Sequence, residues 1–150
     1  MLLKTFHKLV TADLKKWGLH SDSAVKTICM ATAHESGLGK YRKQLGGGPA
    51  LGLQQIEPTT HDSIWTYSDT IRERAREFGI LRDLNQLEND DSYSIWVARH
   101  YLLMDVDPLP VGDIATALYC KRYWNRTGKA TAEEYLRDYW SWCSQSGVQI

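Results

Sequence analysis

The run Ala33-His34-Glu35-Ser36-Gly37 places one carboxylate where a helix of small and apolar residues gives way to a Gly-rich segment. Ile28, Ala31 and Thr32 precede Glu35 by seven, four and three residues, so all four project from about the same helical face. A carboxyl at the end of an apolar stripe is partly desolvated, which disfavours its charged form and raises its pKa. A carboxylic acid that holds its proton near neutral pH is what protonation of a glycosidic oxygen requires. A plain surface Glu is a weak account of this position, because negative charge at a helix C-terminus opposes the helix dipole.

The Gly-rich segment closes with Leu51-Gly52-Leu53-Gln54-Gln55-Ile56-Glu57-Pro58. Glu57 has two readings. It is a second carboxylate able to hold a water for hydrolysis, or a helix-start residue before Pro58, with a structural or binding role; the second is favoured. His34-Glu35 begins like the zinc pattern HExxH, but residue 38 is Leu, and the five histidines show no ligand spacing. Gly46-Gly47-Gly48 lacks the Gly-Lys-Ser/Thr of a phosphate loop and serves instead for close backbone approach. Lys40, Arg42 and Lys43 form a solvated basic face or hold peptide-stem carboxylates. Tyr123 and Trp124 suit either core packing or stacking on a sugar.

Helical periodicity and cap residues supply the frame for these groups. Leu2, Leu3, Phe6, Leu9, Val10, Leu14 and Trp17 recur at helical spacing before Gly18. Ser21 to Ser23 offer a cap for a second helix that ends at Glu35. Residues 39–58 cannot continue it and are expected to form a loop or a short β-hairpin. Thr59 or Thr60 is expected to cap a short helix through Trp65, and Asp69 another, Ile71–Phe78, ended by Gly79. Asn89-Asp90-Asp91 leads into a buried helix containing Trp96 and Tyr101. Asp113 opens an apolar helix from Ile114 to Trp124. Thr131-Ala132-Glu133-Glu134 has capping-box form and starts a last helix with Tyr135, Leu136, Tyr139, Trp140 and Cys143. The sum is one mainly α domain over residues 1–150 with a small loop or β-hairpin insertion.

Composition narrows the partners. The 18 Lys and Arg balance 18 Asp and Glu, so a nucleic acid is not an expected partner. Six Trp and eight Tyr allow a glycan groove. Three cysteines, Cys29, Cys120 and Cys143, do not read as a disulfide framework and point to a reducing compartment. Lys8, Asp13 and Lys15 follow Met1-Leu2-Leu3-Lys4 too soon for a signal peptide, and no run approaches a membrane span.

Glu35-Ser36-Gly37 resembles the catalytic Glu-Ser-Gly motif of the lytic transglycosylases, the goose-type-lysozyme-like branch of the lysozyme superfamily. Gly52-Leu53-Gln54-Gln55-Ile56-Glu57-Pro58-Thr59-Thr60 is similar to their second motif, usually Gly-Leu-Met-Gln-Ile-Met-Pro followed by Thr. Ala117-Leu118-Tyr119-Cys120-Lys121 matches the third, Ala-Tyr-Asn-Ala-Gly, only in part: Cys120 replaces Asn and the Gly is missing. The resemblance implies a lysozyme-like helical catalytic domain in which Glu35 is the single acid/base. It further implies that Ser36, Gln55 and Tyr119 line the sugar groove, with Glu57 where the family typically carries Met.

Such an enzyme cleaves the MurNAc–GlcNAc β-1,4 bond of bacterial peptidoglycan with 1,6-anhydro-MurNAc formation, and needs no metal or organic cofactor. The variant motif also resembles phage relatives. The expected setting is therefore a phage virion, with tail or baseplate proteins as partners, or the host cytoplasm before delivery to the periplasm. Two rivals stand beside this expectation: a hydrolytic muramidase that uses Glu57, and an inactive glycan-binding or structural virion module.

Overall fold

The computed structural model describes residues 1–147. Its helices are α1 (Leu3–Lys16), α2 (Asp22–Ser36), α3 (Pro58–Thr66), α4 (Asp69–Phe78), α5 (Gln86–Asn89), α6 (Asp91–Leu103), α7 (Asp113–Tyr119) and α8 (Ala132–Ser146). A π-helical turn, Cys120–Trp124, continues α7.

Helix α2 is the axis of the molecule. Ser21 caps it, its hydroxyl accepting from Ala24 N–H at 3.0 Å, and Gly37 ends it in the left-handed conformation. Ten of its fifteen residues are buried, because α1, α6, α7 and α8 all pack around it. Its alanines, threonines and Cys29 keep that helix thin, so neighbours approach closely. Leu3, Phe6, Val10 and Leu14 give α1 one buried stripe, while its lysines face out. The Thr131 capping box forms as the sequence predicts, and α8 buries Tyr135, Tyr139 and Cys143, one residue every helical turn. Asp90 caps α6, accepting from Tyr93 N–H at 3.1 Å.

Three local expectations change. Glu57 is the N-cap residue of α3 and Pro58 its first helical residue, so neither Thr59 nor Thr60 caps it. The proline wins because its fixed φ and missing N–H suit that position. Residues 86–89 form a short extra helix. The expected single helix from Ile114 to Trp124 changes pitch at Cys120, where Asn125 N–H reaches back five residues to Cys120 O at 3.1 Å.

The fold class itself needs correction. A lysozyme-like, mainly α domain with a β-hairpin insertion is not what forms: the described residues are all-α, without a strand or sheet. Residues 37–57 make only isolated bridges, Lys43 with Leu51 and Leu51 with Ile56. Positive φ angles at Gly46, Gly47, Gly52 and Gln55 turn the chain too often for paired strands to extend. Its polar groups are satisfied across turns instead, as in Gln44 N–H to Ala50 O at 3.1 Å and the reciprocal Leu51–Ile56 bonds at 3.0 Å. The lysozyme-type architecture implied by the resemblance falls with the sheet.

Candidate active site

The turns of residues 41–57 and the π-turn with its succeeding segment face each other across a cleft of about 600 Å³. Glu35, Gln55, Glu57, Tyr101, Trp124 and Asn125 are among the residues that line it. Its aromatic side is closely packed: Tyr101 lies 4.6 Å from Tyr123 and meets Trp124 edge-on at 5.1 Å, measured between ring centroids. Trp124 Nε1 donates to Gln54 O at 3.2 Å, which ties this side to the turns opposite.

Glu35 sits at the end of α2 above buried Ile28, Ala31 and Thr32. Burial pushes its pKa above the ordinary carboxylate value, against the opposing pull of the Tyr135 hydroxyl, His34 and the Asn125 amide. Tyr135, from α8, donates to Glu35 Oε1 at 2.6 Å. Burial and the neighbouring Glu35 push the Tyr135 phenol well above its usual range, so it stays a donor. Oε1 is thus held as the acceptor of the phenol hydrogen, and the Asn125 amide bonds to the same carboxyl.

The second-motif residues separate by one position. Gln54 is fully buried, donating to Thr32 Oγ1 at 2.9 Å and accepting from Ser94 Oγ at 2.7 Å. Gln55 lines the cleft, with Nε2 bonded to Gly52 O at 3.0 Å and Tyr41 O at 3.2 Å. Its φ of 49° is left-handed, which costs energy for any residue with a Cβ. Glu57 lines the same cleft with an exposed side chain that makes no capping bond.

Two expected groove residues stand elsewhere. Ser36 is fully buried; its hydroxyl donates to Leu53 O at 2.7 Å and accepts from Gly39 N–H at 2.9 Å. It fastens the turns to the end of α2 and is not part of the cleft lining. Tyr119 is also buried, packed 5.5 Å from Tyr123 and beneath the Arg122 guanidinium. The pitch change after it brings Tyr123, Trp124 and Asn125 to the cleft in its place.

The basic face is largely committed. Arg42 pairs with Asp91, Lys43 approaches Glu88 at 3.9 Å, and Lys40 lies 5.3 Å from the Tyr41 ring centre. Arg126, at the cleft margin, is an exposed cation that no sequence motif singles out. Tyr135 is the larger omission from the sequence-based site. Its signal was present, since a capping box followed by Tyr135 and Tyr139 marks an inward-facing stripe.

The cysteines are free and buried, and burial pushes the Cys29 and Cys120 thiols far up, away from reactivity. Among the described residues no cluster of three metal-ligating side chains occurs, and no helix is long and apolar enough to cross a membrane. The chain matches no family model, no curated protein and no solved structure.

Proposed function

We propose that this chain is a lytic transglycosylase that cleaves the MurNAc–GlcNAc β-1,4 bond of peptidoglycan, with Glu35 as its single acid/base. The observation that carries the reading is a cleft-lining carboxyl whose pKa burial raises and whose Oε1 is fixed by a phenol at 2.6 Å. The Glu35 acid proton passes to the leaving sugar oxygen as the C1–O bond breaks. The N-acetyl group of the substrate stabilises the developing cation, a recognised alternative to a protein nucleophile. Glu35 then takes the proton of the 6-hydroxyl while O6 closes on C1, and returns to its starting state. The aromatic wall of Tyr101, Tyr123 and Trp124 and the amides of Gln55 and Asn125 suit the apolar faces and polar edges of a sugar.

The test is mass spectrometry of purified peptidoglycan after incubation with the wild type and with Glu35→Gln. Anhydro-muropeptides, lighter than hydrolytic products by one water, are expected from the wild type alone. Products with reducing ends only would assign the chemistry to hydrolysis with Glu57, which lines the same cleft. Intact peptidoglycan would leave a glycan-binding or structural module.

A further inference from the structure

His34 and Glu35 are neighbours on α2 and leave that helix roughly 100° apart. Both nevertheless reach Tyr135 of α8. Glu35 Oε1 accepts the Tyr135 hydroxyl hydrogen at 2.6 Å, and the His34 ring lies against the Tyr135 ring with centroids 4.1 Å apart and planes tilted by 34°. Asp138 stands one helical turn beyond Tyr135 and meets His34 Nδ1 with Oδ2 at 2.8 Å. A carboxylate oxygen only accepts, so Nδ1 carries the hydrogen and the imidazole orientation is fixed. His34 and Asp138 are both mostly shielded, with side-chain exposures of 16% and 31%.

We propose that His34 and Asp138 are positioning residues: their bond clamps the Tyr135 ring, and through its hydroxyl holds Glu35 Oε1 as an acceptor. The inference rests on the reading of Glu35 as the acid. A tether between α2 and α8 alone needs no ring contact with Tyr135. Stacking adds that contact, because a face-packed phenol cannot swing its hydroxyl away from Glu35. The groups that bear on Glu35 are His34 from its own helix, Tyr135 from α8, and Asn125 and Cys120 from the π-turn region. Arg137 approaches Asp138 Oδ1 at 3.5 Å from the solvent side.

The experiment compares Asp138→Ala and Asp138→Asn. It reads the Glu35 carboxyl titration by carbon-13 NMR, the melting temperature, and kcat and KM on peptidoglycan. Losing the Tyr135 donor raises the Glu35 pKa; both variants lose the Asp138 charge and its pull on His34, whose charge also bears on Glu35, so the difference between the two variants identifies the cause. With Asp138→Ala the Glu35 titration is expected to move up and kcat to fall roughly tenfold at unchanged KM. Asp138→Asn, which can still accept from Nδ1–H, is expected to restore both. A downward or absent shift in Asp138→Ala, or equal damage in the two variants, would overturn the clamp. The titration needs no turnover, so it decides the clamp even if Glu35→Gln shows the acid assignment to be wrong.

Discussion

The floor beneath the cleft, where Glu35 reaches the lining and its supports lie behind, and the rim are held by different physics. Glu35, His34, Tyr135 and Asp138 come from α2 and α8, whose backbones are already satisfied, and they bond to one another at 2.6 and 2.8 Å. The rim is carried by turns that bring Gln55 and Glu57 to the cleft from a segment with four left-handed residues between 46 and 55. Helices fix directions well and vary poorly, while turns vary freely and cost strain. The difference separates a place for chemistry from a place for substrate selection, and mutations should divide along it.

The largest effect belongs to the floor. Glu35→Gln should lower the cleavage rate by about 10²- to 10⁴-fold, the range for a general acid. Its stability should move the other way. The folded state holds the Glu35 proton above the ordinary Glu value of 4.5, so below that pH both states are protonated and nothing is lost. As pH rises, the unfolded chain ionises first and the folded state loses stability up to the folded pKa. Gln cannot ionise and still accepts from Tyr135. Melting scans should therefore show the variant gaining on the wild type as pH rises from the ordinary Glu value of 4.5 toward the higher folded-state pKa. The wild-type rate should decline over the same rise, through a pKa above the ordinary Glu value.

Next come the residues that seat the rim on the floor. Gly52 has φ 81°, and a Cβ there would come within 2.1 Å of Leu87 O in α5. Gly52→Ala should cost about 3 kcal/mol, measured by denaturant unfolding, since both the backbone conformation and the contact resist it. Gln54→Leu should cost about 2 kcal/mol, because Ser94 Oγ loses its buried acceptor. An unchanged unfolding midpoint for either would mean that the turns are not seated as described, and the contrast with the floor would lose its basis.

Gln55 separates strain from binding. Its left-handed backbone favours Gly, by about 1 kcal/mol, against the loss of two side-chain bonds to Gly52 O and Tyr41 O. Gln55→Gly should leave stability within about 1 kcal/mol of wild type while raising KM roughly fivefold, the worth of one lost sugar hydrogen bond. A large drop in stability with KM unchanged would make Gln55 a structural residue.

Legibility in the sequence divides along the same line. Side-chain caps mark α2, α6 and α8, and a single buried stripe marks α1 and α8, because local hydrogen bonds and local spacing determine them. Glu35 is visible because it stands at the end of α2 above Ile28, Ala31 and Thr32. The turns are legible only as an interruption, since repeated positive φ at Gly and at Gln55 depends on tertiary contacts such as Gly52 against Leu87. The hairpin expectation fails there. Tyr119 is the last residue of α7 and buried; the π-turn that follows adds a residue to one helical circuit and rotates Tyr123 and Trp124 to the cleft instead, and no residue type signals that insertion. Ser36 illustrates a subtler error, in which a motif neighbour of Glu35 works entirely inside the protein.

Glu57 gives the smallest expected effect and the sharpest test of the rim. It lines the cleft with Glu35, yet its side chain is exposed, caps nothing and stands on the turn wall, where no buried donor fixes it. A base that activates water must be held against the sugar face, and its removal costs a hydrolase as much as loss of its acid. A ring-closing enzyme needs no such group, because the attacking hydroxyl belongs to the substrate. Glu57→Gln should therefore change kcat less than about twofold and leave the products as anhydro-muropeptides, whereas a loss of the size expected for Glu35 would make the rim part of the chemistry.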